Sequence, residues 1–378
     1  PNYDYKDFDA QLQSVYCCNG VVCMTDNPIT LRAATAEDRL MRQTSCCWEG
    51  DSAPCNGWMQ FLSEIFSEND DPAAMISFIQ ELFGYSLSGE VGEEKIFCHW
   101  GDGCNGKSKL LSALRRICGD YATVIEPDEI VQKKNGFSKS FERTGAKVEG
   151  HRVAIIDDLD VATVWNEGFV KTLTAKNFRA RAEYERSREV PNRCKFHIGL
   201  NVAPEPEAEN LGILRRLCII PYKRTFEPRG DTERALCQML EEEASGILAW
   251  AIRGYARYAA RGCLEYPEET VVASQDYRKK HFHLESAIEE CFEVPVGATG
   301  ESIAEELTLA EMCEVVNEYY DSEGYEGARV SPESLGRVLK KSMHLEVKKV
   351  WDNEAHNMRR KIKIVVKFKP KNKALGVL

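Results

Sequence analysis

The sequence predicts an α/β fold with a mostly parallel central sheet, preceded by a mixed, partly helical segment and followed by a smaller basic domain. Three observations carry this expectation. Strand-like and helix-like runs alternate from residue 86 to 225. A glycine-rich turn ending in Gly-Lys-Ser lies between one of those strands and the helix after it. An apolar strand ending in two aspartates follows about fifty residues later.

Taken in chain order, residues 1–85 form the first segment. Gly20 to Met24 reads as a short strand, and a helix carries Phe61, Leu62, Ile65 and Phe66. A second helix has Asp71 as its N-cap, Pro72 in its first turn and an apolar stripe at Met75, Ile79, Leu82 and Phe83. Gly84 is expected just past its end, where a glycine commonly terminates a helix.

Residues 86–225 form the expected α/β domain. Ile96 to Trp100 reads as a strand entering Gly101-Asp102-Gly103-Cys104-Asn105-Gly106-Lys107-Ser108, a complete G-x4-G-K-[ST] motif. Ser108 to Cys118 reads as the helix leaving it, with Leu110, Leu111, Leu114 and Ile117 on one face. Glycines let the backbone curl and aim its N–H groups at phosphate oxygens. Gly101, Gly103, Asn105 and Gly106 shape that cradle, Lys107 reaches the β- and γ-phosphates of ATP, and Ser108 offers a hydroxyl to Mg²⁺. The start of the helix adds its dipole.

Val153-Ala154-Ile155-Ile156-Asp157-Asp158 is the acidic strand. One carboxylate, Asp157, suits the metal, and Asp158 suits the attacking water. Phe196 to Asn201 is again an apolar strand with a polar end, followed by Pro204. Asn201 can bond the γ-phosphate or the water, although a turn-forming asparagine would give the same pattern. Arg215 and Arg216 then open the strand Leu217 to Tyr222. A guanidinium there suits a phosphate across a subunit boundary, and a surface pair is the bland alternative.

Residues 226–300 read as helices, interrupted near Pro267, and a linker from Glu293 to Glu306. Residues 301–378 read as helices at 308–322 and 331–343 and strands at 345–351 and 359–369, the ending of a winged-helix-like domain. Ser331 to Leu378 holds thirteen Lys/Arg against four Asp/Glu, a surplus of nine. With a chain net of −11, the first 330 residues carry −20. A basic tail on an acidic body hints at nucleic acid, and a solvated lysine-rich strand accounts for it equally well. Lys361, Lys363, Lys367 and Lys369 share one parity and so one strand face.

The fifteen cysteines lack the regular paired spacing of a zinc site and read chiefly as buried free thiols. No apolar run is long enough to span a membrane, and the start lacks the form of a signal peptide. The expectation is an intracellular protein in host cytoplasm or nucleus, or in bacterial cytoplasm. Because it begins at Pro1, it is also expected to be a fragment of a longer polypeptide.

Together these motifs resemble superfamily-3 helicases, more narrowly the C-terminal part of poxvirus and phage/plasmid primase-helicases. The likeness rests on the G-x-G-x-N-G-K-S loop, the short gap to the acidic strand, Asn201 and the Arg-Arg-Leu…Ile-Pro-Tyr run. Asn19-Gly20-Val21, Trp58…Phe61-Leu62, Gly84-Tyr85 and Tyr266-Pro267…Tyr277-Arg278 extend it over roughly residues 15–300. One motif departs. Where the family carries Leu-Thr-Gly-Gly-Asp, this chain has Leu173-Thr174-Ala175-Lys176-Asn177, followed by Arg179 and Arg181.

The resemblance implies an AAA+ P-loop motor in a homo-hexameric ring, acting on single-stranded and forked DNA. ATP would sit at each subunit boundary, with Arg216, or Arg215, supplied by the next subunit. It implies a pore hairpin from Arg181 to Lys195 with Arg186 and Arg188 at its tip, and a primase or primase-polymerase on the N-terminal side. Two other classes remain open: an AAA+ ATPase for DNA packaging or protein remodelling, and an ATP-dependent initiator that loads on DNA without unwinding it.

Overall fold

The computed structural model describes residues 8–127, 131–132, 141–159, 164–165, 167–182, 185–201, 204, 215–227, 230–281, 283–292, 308–322, 330–341, 347–350 and 361–364. Its contacts divide the chain into two units, Pro1–Tyr277 and Arg278–Leu378.

The first unit opens with an antiparallel sheet of β1 (Ser14–Cys17), β2 (Gly20–Cys23) and β3 (Leu31–Arg32). Helices α1 (Asn56–Ile65) and α2 (Pro72–Leu87) follow. As expected, Asp71 caps α2 by accepting from the Ala74 N–H at 2.9 Å, with Pro72 in the first turn. Gly84, however, does not end the helix, which runs on to Leu87. The glycine serves a crossing instead: a Cβ there would collide with the Ala251 carbonyl and the Tyr255 nitrogen of α7 (Ala244–Arg261). A tertiary contact thus explains a residue that local rules read as a stop.

The central sheet has five strands: β4 (Ile96–Trp100), β5 (Ala122–Val124), β7 (Val153–Leu159), β11 (Lys195–Leu200) and β12 (Leu217–Pro221). Their order is β12-β4-β11-β7-β5, and every pairing is parallel. The expected parallel α/β sheet is therefore present. Burial on both faces explains the near-continuous apolar runs, as in Lys195–Leu200, where all six residues are buried. Chain crossover brings β11 between β4 and β7, so the ends of these three strands adjoin.

Helix α3 (Lys107–Cys118) leaves β4 and packs on β7 and β11, while α1, α2 and α7 complete that layer. Trp58 anchors it, its ring 5.8 Å from Phe83 and 5.7 Å from Trp250. Burying rings of this kind contributes roughly 2–3 kcal/mol each. Smaller elements are β6 (Val131–Gln132) paired with β8 (Val164–Trp165), and helices α4 (Phe141–Val148), α5 (Glu167–Leu173), α6 (Gly230–Glu242) and α8 (Glu268–His281). The helical break near Pro267 falls between α7 and α8, as the sequence predicts.

Two cations lie buried at the N-terminal edge of this sheet. Arg152 donates to the carbonyls of Ser14 at 2.8 Å and Leu87 at 2.6 Å and lies over the Tyr121 ring. Lys195 donates to the carbonyls of Ser88 and Arg193, and burial pushes its pKa down to about 7. Leu87 and Ser88 end α2, so both cations face the negative end of a helix dipole.

Cysteine usage is a correction. Thirteen cysteines are free, but Cys18 and Cys47 form a disulfide. The turn after β1 pairs with segment 46–48: the Cys18 N–H donates to the Cys46 carbonyl at 3.0 Å, and the Asn19 amide bonds Trp48 in both directions at 2.9 Å. That long-range pairing brings the two Cα atoms to 4.9 Å, which spacing along the chain does not reveal. Among the described residues, no three His, Cys, Asp or Glu side chains cluster as metal ligands. No described helix is long and apolar enough to cross a membrane.

The second unit contains α9 (His283–Cys291), α10 (Leu309–Ser322), α11 (Pro332–Lys341), β13 (Val347–Val350) and β14 (Lys361–Ile364). Its own core includes Ile288, Phe292, Met312, Val316, Leu335 and Leu339. The helix, helix, strand, strand order expected after the linker is found, and β13 pairs with β14 antiparallel. The linker Glu293 to Glu306 lies outside the described residues.

Candidate nucleotide site

The site forms at the C-terminal edge of the central sheet, where parallel strands leave crevices for ligands. The loop from Gly101 to Gly106 joins β4 to α3. Gly106 has φ +87° at the helix N-cap, and a Cβ there would lie 2.6 Å from Ile65 Cγ2. A Cβ at Gly101 would lie 2.5 Å from the Tyr222 carbonyl oxygen. Both positions admit only glycine. At Gly103 a Cβ would meet nothing within 4 Å, so that part of the loop faces open space. The Phe226 N–H donates to the Cys104 carbonyl at 2.7 Å and pins the outer side of the turn.

Lys107 starts α3 and is buried. Its ammonium donates to the carbonyls of Gly101 at 2.5 Å and Asp102 at 3.1 Å, and to Asn201 Oδ1 at 3.0 Å. Ser108 Oγ donates to Asp157 Oδ1 at 3.2 Å. The Lys107 N–H donates to Asn105 Oδ1 at 3.3 Å, while Asn105 Nδ2 is buried with no hydrogen-bond partner. A buried orphan donor is costly, and a ligand rich in acceptor oxygens would satisfy it.

The structure thus brings Gly101, Gly103, Asn105, Gly106, Lys107, Ser108, Asp157 and Asn201 into one site. β11 makes this possible: Leu200 is in register with Trp100 on one side and Leu159 on the other, so Asn201 emerges between the loop and the acidic strand. Asp157 and Asp158 both lie within β7, two residues and one residue short of its end. Ser108 and Asp157 present hard oxygens to the same space, as Mg²⁺ requires of a site that supplies few protein ligands.

Arg215 and Arg216 are elsewhere. Leu217 is in register with Ile96, the first residue of β4, so both arginines sit at the opposite edge of the sheet. Five residues of strand separate that edge from Gly101, about 16 Å. Arg216 Nε donates to Thr174 Oγ1 at 2.8 Å, and burial followed by the neighbouring Arg215 lowers the pKa of Arg216. Arg215 is exposed. Neither arginine reaches the phosphate loop of its own chain.

The hairpin expected from Arg181 to Lys195 begins earlier. Its strands are β9 (Asn177–Ala180) and β10 (Arg188–Pro191), with Arg188 opposite Ala180 and Pro191 opposite Asn177. The connection carries exposed Arg181 and Arg186. Arg188 belongs to the strand, not the tip, and its guanidinium holds Glu149 at 2.6 Å and Glu185 at 2.5 Å. In the second unit, Lys361 and Lys363 lie on β14, and Lys367 and Lys369 fall outside the described residues.

His99 and His197, each embedded in an apolar strand run, are wholly buried beside the site although no local motif marks them. Their shared parity within paired strands was the available signal.

No family model matches the chain. A protein of Acanthamoeba polyphaga mimivirus described as "Putative helicase L207/L206" is 24% identical over 224 residues, 55% of this chain and 23% of that protein. One of Frog virus 3 (isolate Goorha), "Putative helicase 022R", is 20% identical over 285 residues, 71% of this chain and 29% of that protein. The chain therefore spans less than a third of either relative. Among solved structures, the A form apo structure of the NrS-1 C-terminal region aligns with TM-score 0.44 and 12% identity, over 82% of this chain and 74% of that one.

Proposed function

We propose that the chain is the motor part of a superfamily-3 DNA helicase, an AAA+ ATPase that assembles as a hexamer, tracks single-stranded DNA and opens forked duplex. One observation carries the reading. Lys107 bridges the phosphate loop and Asn201 while Ser108 bonds Asp157, so groups from four chain segments converge where a triphosphate would lie. The viral relatives, each described as a "Putative helicase", support the helicase reading, and its setting would be replication of a virus, phage or mobile element inside the host cell.

The roles follow from chemistry. Loop N–H groups and Lys107 bind the β- and γ-phosphates of ATP. Ser108 and Asp157 would hold Mg²⁺, which when bound neutralises charge on the phosphate oxygens. Asp158 orients and polarises the attacking water, and Asn201 holds the γ-phosphate or that water. Arg216 lies too far from its own loop and acts on the neighbouring subunit's ATP, where an arginine supplied across the boundary can be worth about 10³–10⁵ in rate. Arg186 on the hairpin connection grips backbone phosphates without reading bases. Lys361, Lys363, Lys367 and Lys369 add duplex or fork contacts, and a primase or primase-polymerase belongs on the N-terminal side.

The test is a forked-duplex assay with ATP alongside ATPase measurements with and without single-stranded DNA. Strand displacement and DNA-stimulated turnover are expected. ATPase indifferent to DNA would favour a packaging or remodelling motor. ATP-dependent DNA binding without displacement would favour a loading initiator.

A further inference from the structure

A chain of four polar side chains crosses the apolar layer beneath the nucleotide site. Ser86 Oγ on α2 bonds His197 Nε2 at 2.9 Å, His197 Nδ1 bonds His99 Nε2 at 3.2 Å, and His99 Nδ1 bonds the Tyr222 hydroxyl at 2.7 Å. All four residues are buried. Phe97 stacks on His197 at 5.3 Å and Phe66 packs on Tyr222 at 5.2 Å, so the surroundings are apolar.

Each link ties a different element of the site. His99 lies two residues before Gly101. His197 lies on β11, four residues before Asn201. Tyr222 donates its N–H to the Trp100 carbonyl at 2.8 Å, and its own carbonyl abuts Gly101. The Gly101 N–H in turn donates to the Leu200 carbonyl at 3.2 Å.

Apolar residues of similar shape would fill this layer at no cost in stability, because buried polar networks roughly break even. Hydrogen bonds add direction instead. A neutral imidazole donates through one nitrogen and accepts through the other, so two in series force all three links to run the same way. Loss of either end group leaves a buried nitrogen unpaired. Burial holds both rings neutral, with His99 pushed down to about 3, so the chain is a fixed brace near neutral pH and not a proton switch.

We propose that Ser86, His197, His99 and Tyr222 are positioning residues that set the phosphate loop against Asn201, and thereby govern the hydrolysis rate without touching the nucleotide. This rests on reading the site as an ATPase. A 1 Å misplacement of reacting groups can cost about 10²-fold, so a partial release is expected to cost about tenfold.

The test uses Tyr222→Phe and Ser86→Ala, which keep shape and are the mildest ways to open the chain. Each should lower kcat about tenfold while ATP affinity stays within about twofold. The same changes in an Asn201→Ala background should lower kcat no further, because the brace acts through Asn201. Parental kcat in both single variants would overturn the proposal. So would an equal fall in the Asn201→Ala background, which marks general loosening, or a fall in affinity matching the fall in kcat. Lys107→Ala run alongside separates the two claims: if it retains parental turnover, the ATPase reading itself fails.

Discussion

Gly106 and Gly103 of the phosphate loop should respond differently to alanine. At Gly106 the φ of +87° costs a side-chain residue about 1–2 kcal/mol. The added carbon would also sit 2.6 Å from Ile65 Cγ2, where ordinary contact needs at least about 3.4 Å. Closing that gap displaces α1 or the loop by about 0.8 Å, an overpacking cost of about 1–3 kcal/mol. Gly106→Ala should therefore lose roughly 2–5 kcal/mol, seen as a fall in Tm of roughly 5–15 °C. Gly103 has no such constraint: its Cβ would enter open space. Gly103→Ala should leave Tm within about 1–2 °C of the parent, yet weaken ATP binding at least about tenfold, because the methyl group stands where phosphate oxygens must approach the backbone. Scanning calorimetry and titration with ATP measure the two quantities. If Gly103→Ala binds ATP like the parent, the open side of the loop is not where phosphate lies. Equal losses of stability in both variants would refute the steric argument.

Arg216→Ala and Lys107→Ala subunits should each be inactive alone and regain some ATPase when mixed, since some boundaries then hold both intact halves. No recovery in rings shown to contain both variants would count against a shared site. Arg186→Ala should abolish stimulation by single-stranded DNA with stability unchanged, whereas Arg188→Ala should chiefly cost stability, about 1–2 kcal/mol, by leaving the buried Glu149 carboxylate without its cation. An Arg186→Ala variant that unwinds at the parental rate would leave that arginine a surface decoration. Acid should weaken the fold through His99. Its folded pKa of about 3 lies below the unfolded 6.5, so both states are neutral above pH 6.5 and only the unfolded state takes the proton below it. Stability should fall from pH 6.5 toward 3, by up to roughly 5 kcal/mol from this group. His99→Phe should flatten the slope by about one proton between pH 6 and 4, and an unchanged slope would place the acid sensitivity elsewhere.

Features encoded by adjacent residues were legible. The alternation that builds the parallel sheet, the Asp71-Pro72 helix start and the phosphate loop all follow from local spacing, and the structure has each of them. Features decided by distant segments were not. Gly84 follows the rule for a helix end, but the approach of α7 determines its use. The hairpin starts four residues before the expected Arg181, because Asn177 to Ala180 looks like connection until it pairs with β10. Nothing beside Arg152 or Lys195 in the sequence marks them as buried, yet the end of α2 buries both. The Cys18–Cys47 bridge likewise depends on pairing across twenty-nine residues. At the site, residue types indicated the chemistry, but only the strand order shows Asn201 between loop and acid, with Arg216 at the far edge.

The central claim is that Lys107, Ser108, Asp157, Asp158 and Asn201 form an ATP-hydrolysing centre. Steady-state hydrolysis of ATP with Mg²⁺ by the purified chain, compared with folded Lys107→Ala and Asp158→Asn variants, tests it most directly. Parental turnover should depend on both residues, with Lys107→Ala inactive and Asp158→Asn still binding ATP but hydrolysing it at least about 10²-fold more slowly. Near-parental turnover in either variant, with Tm unchanged, would contradict it.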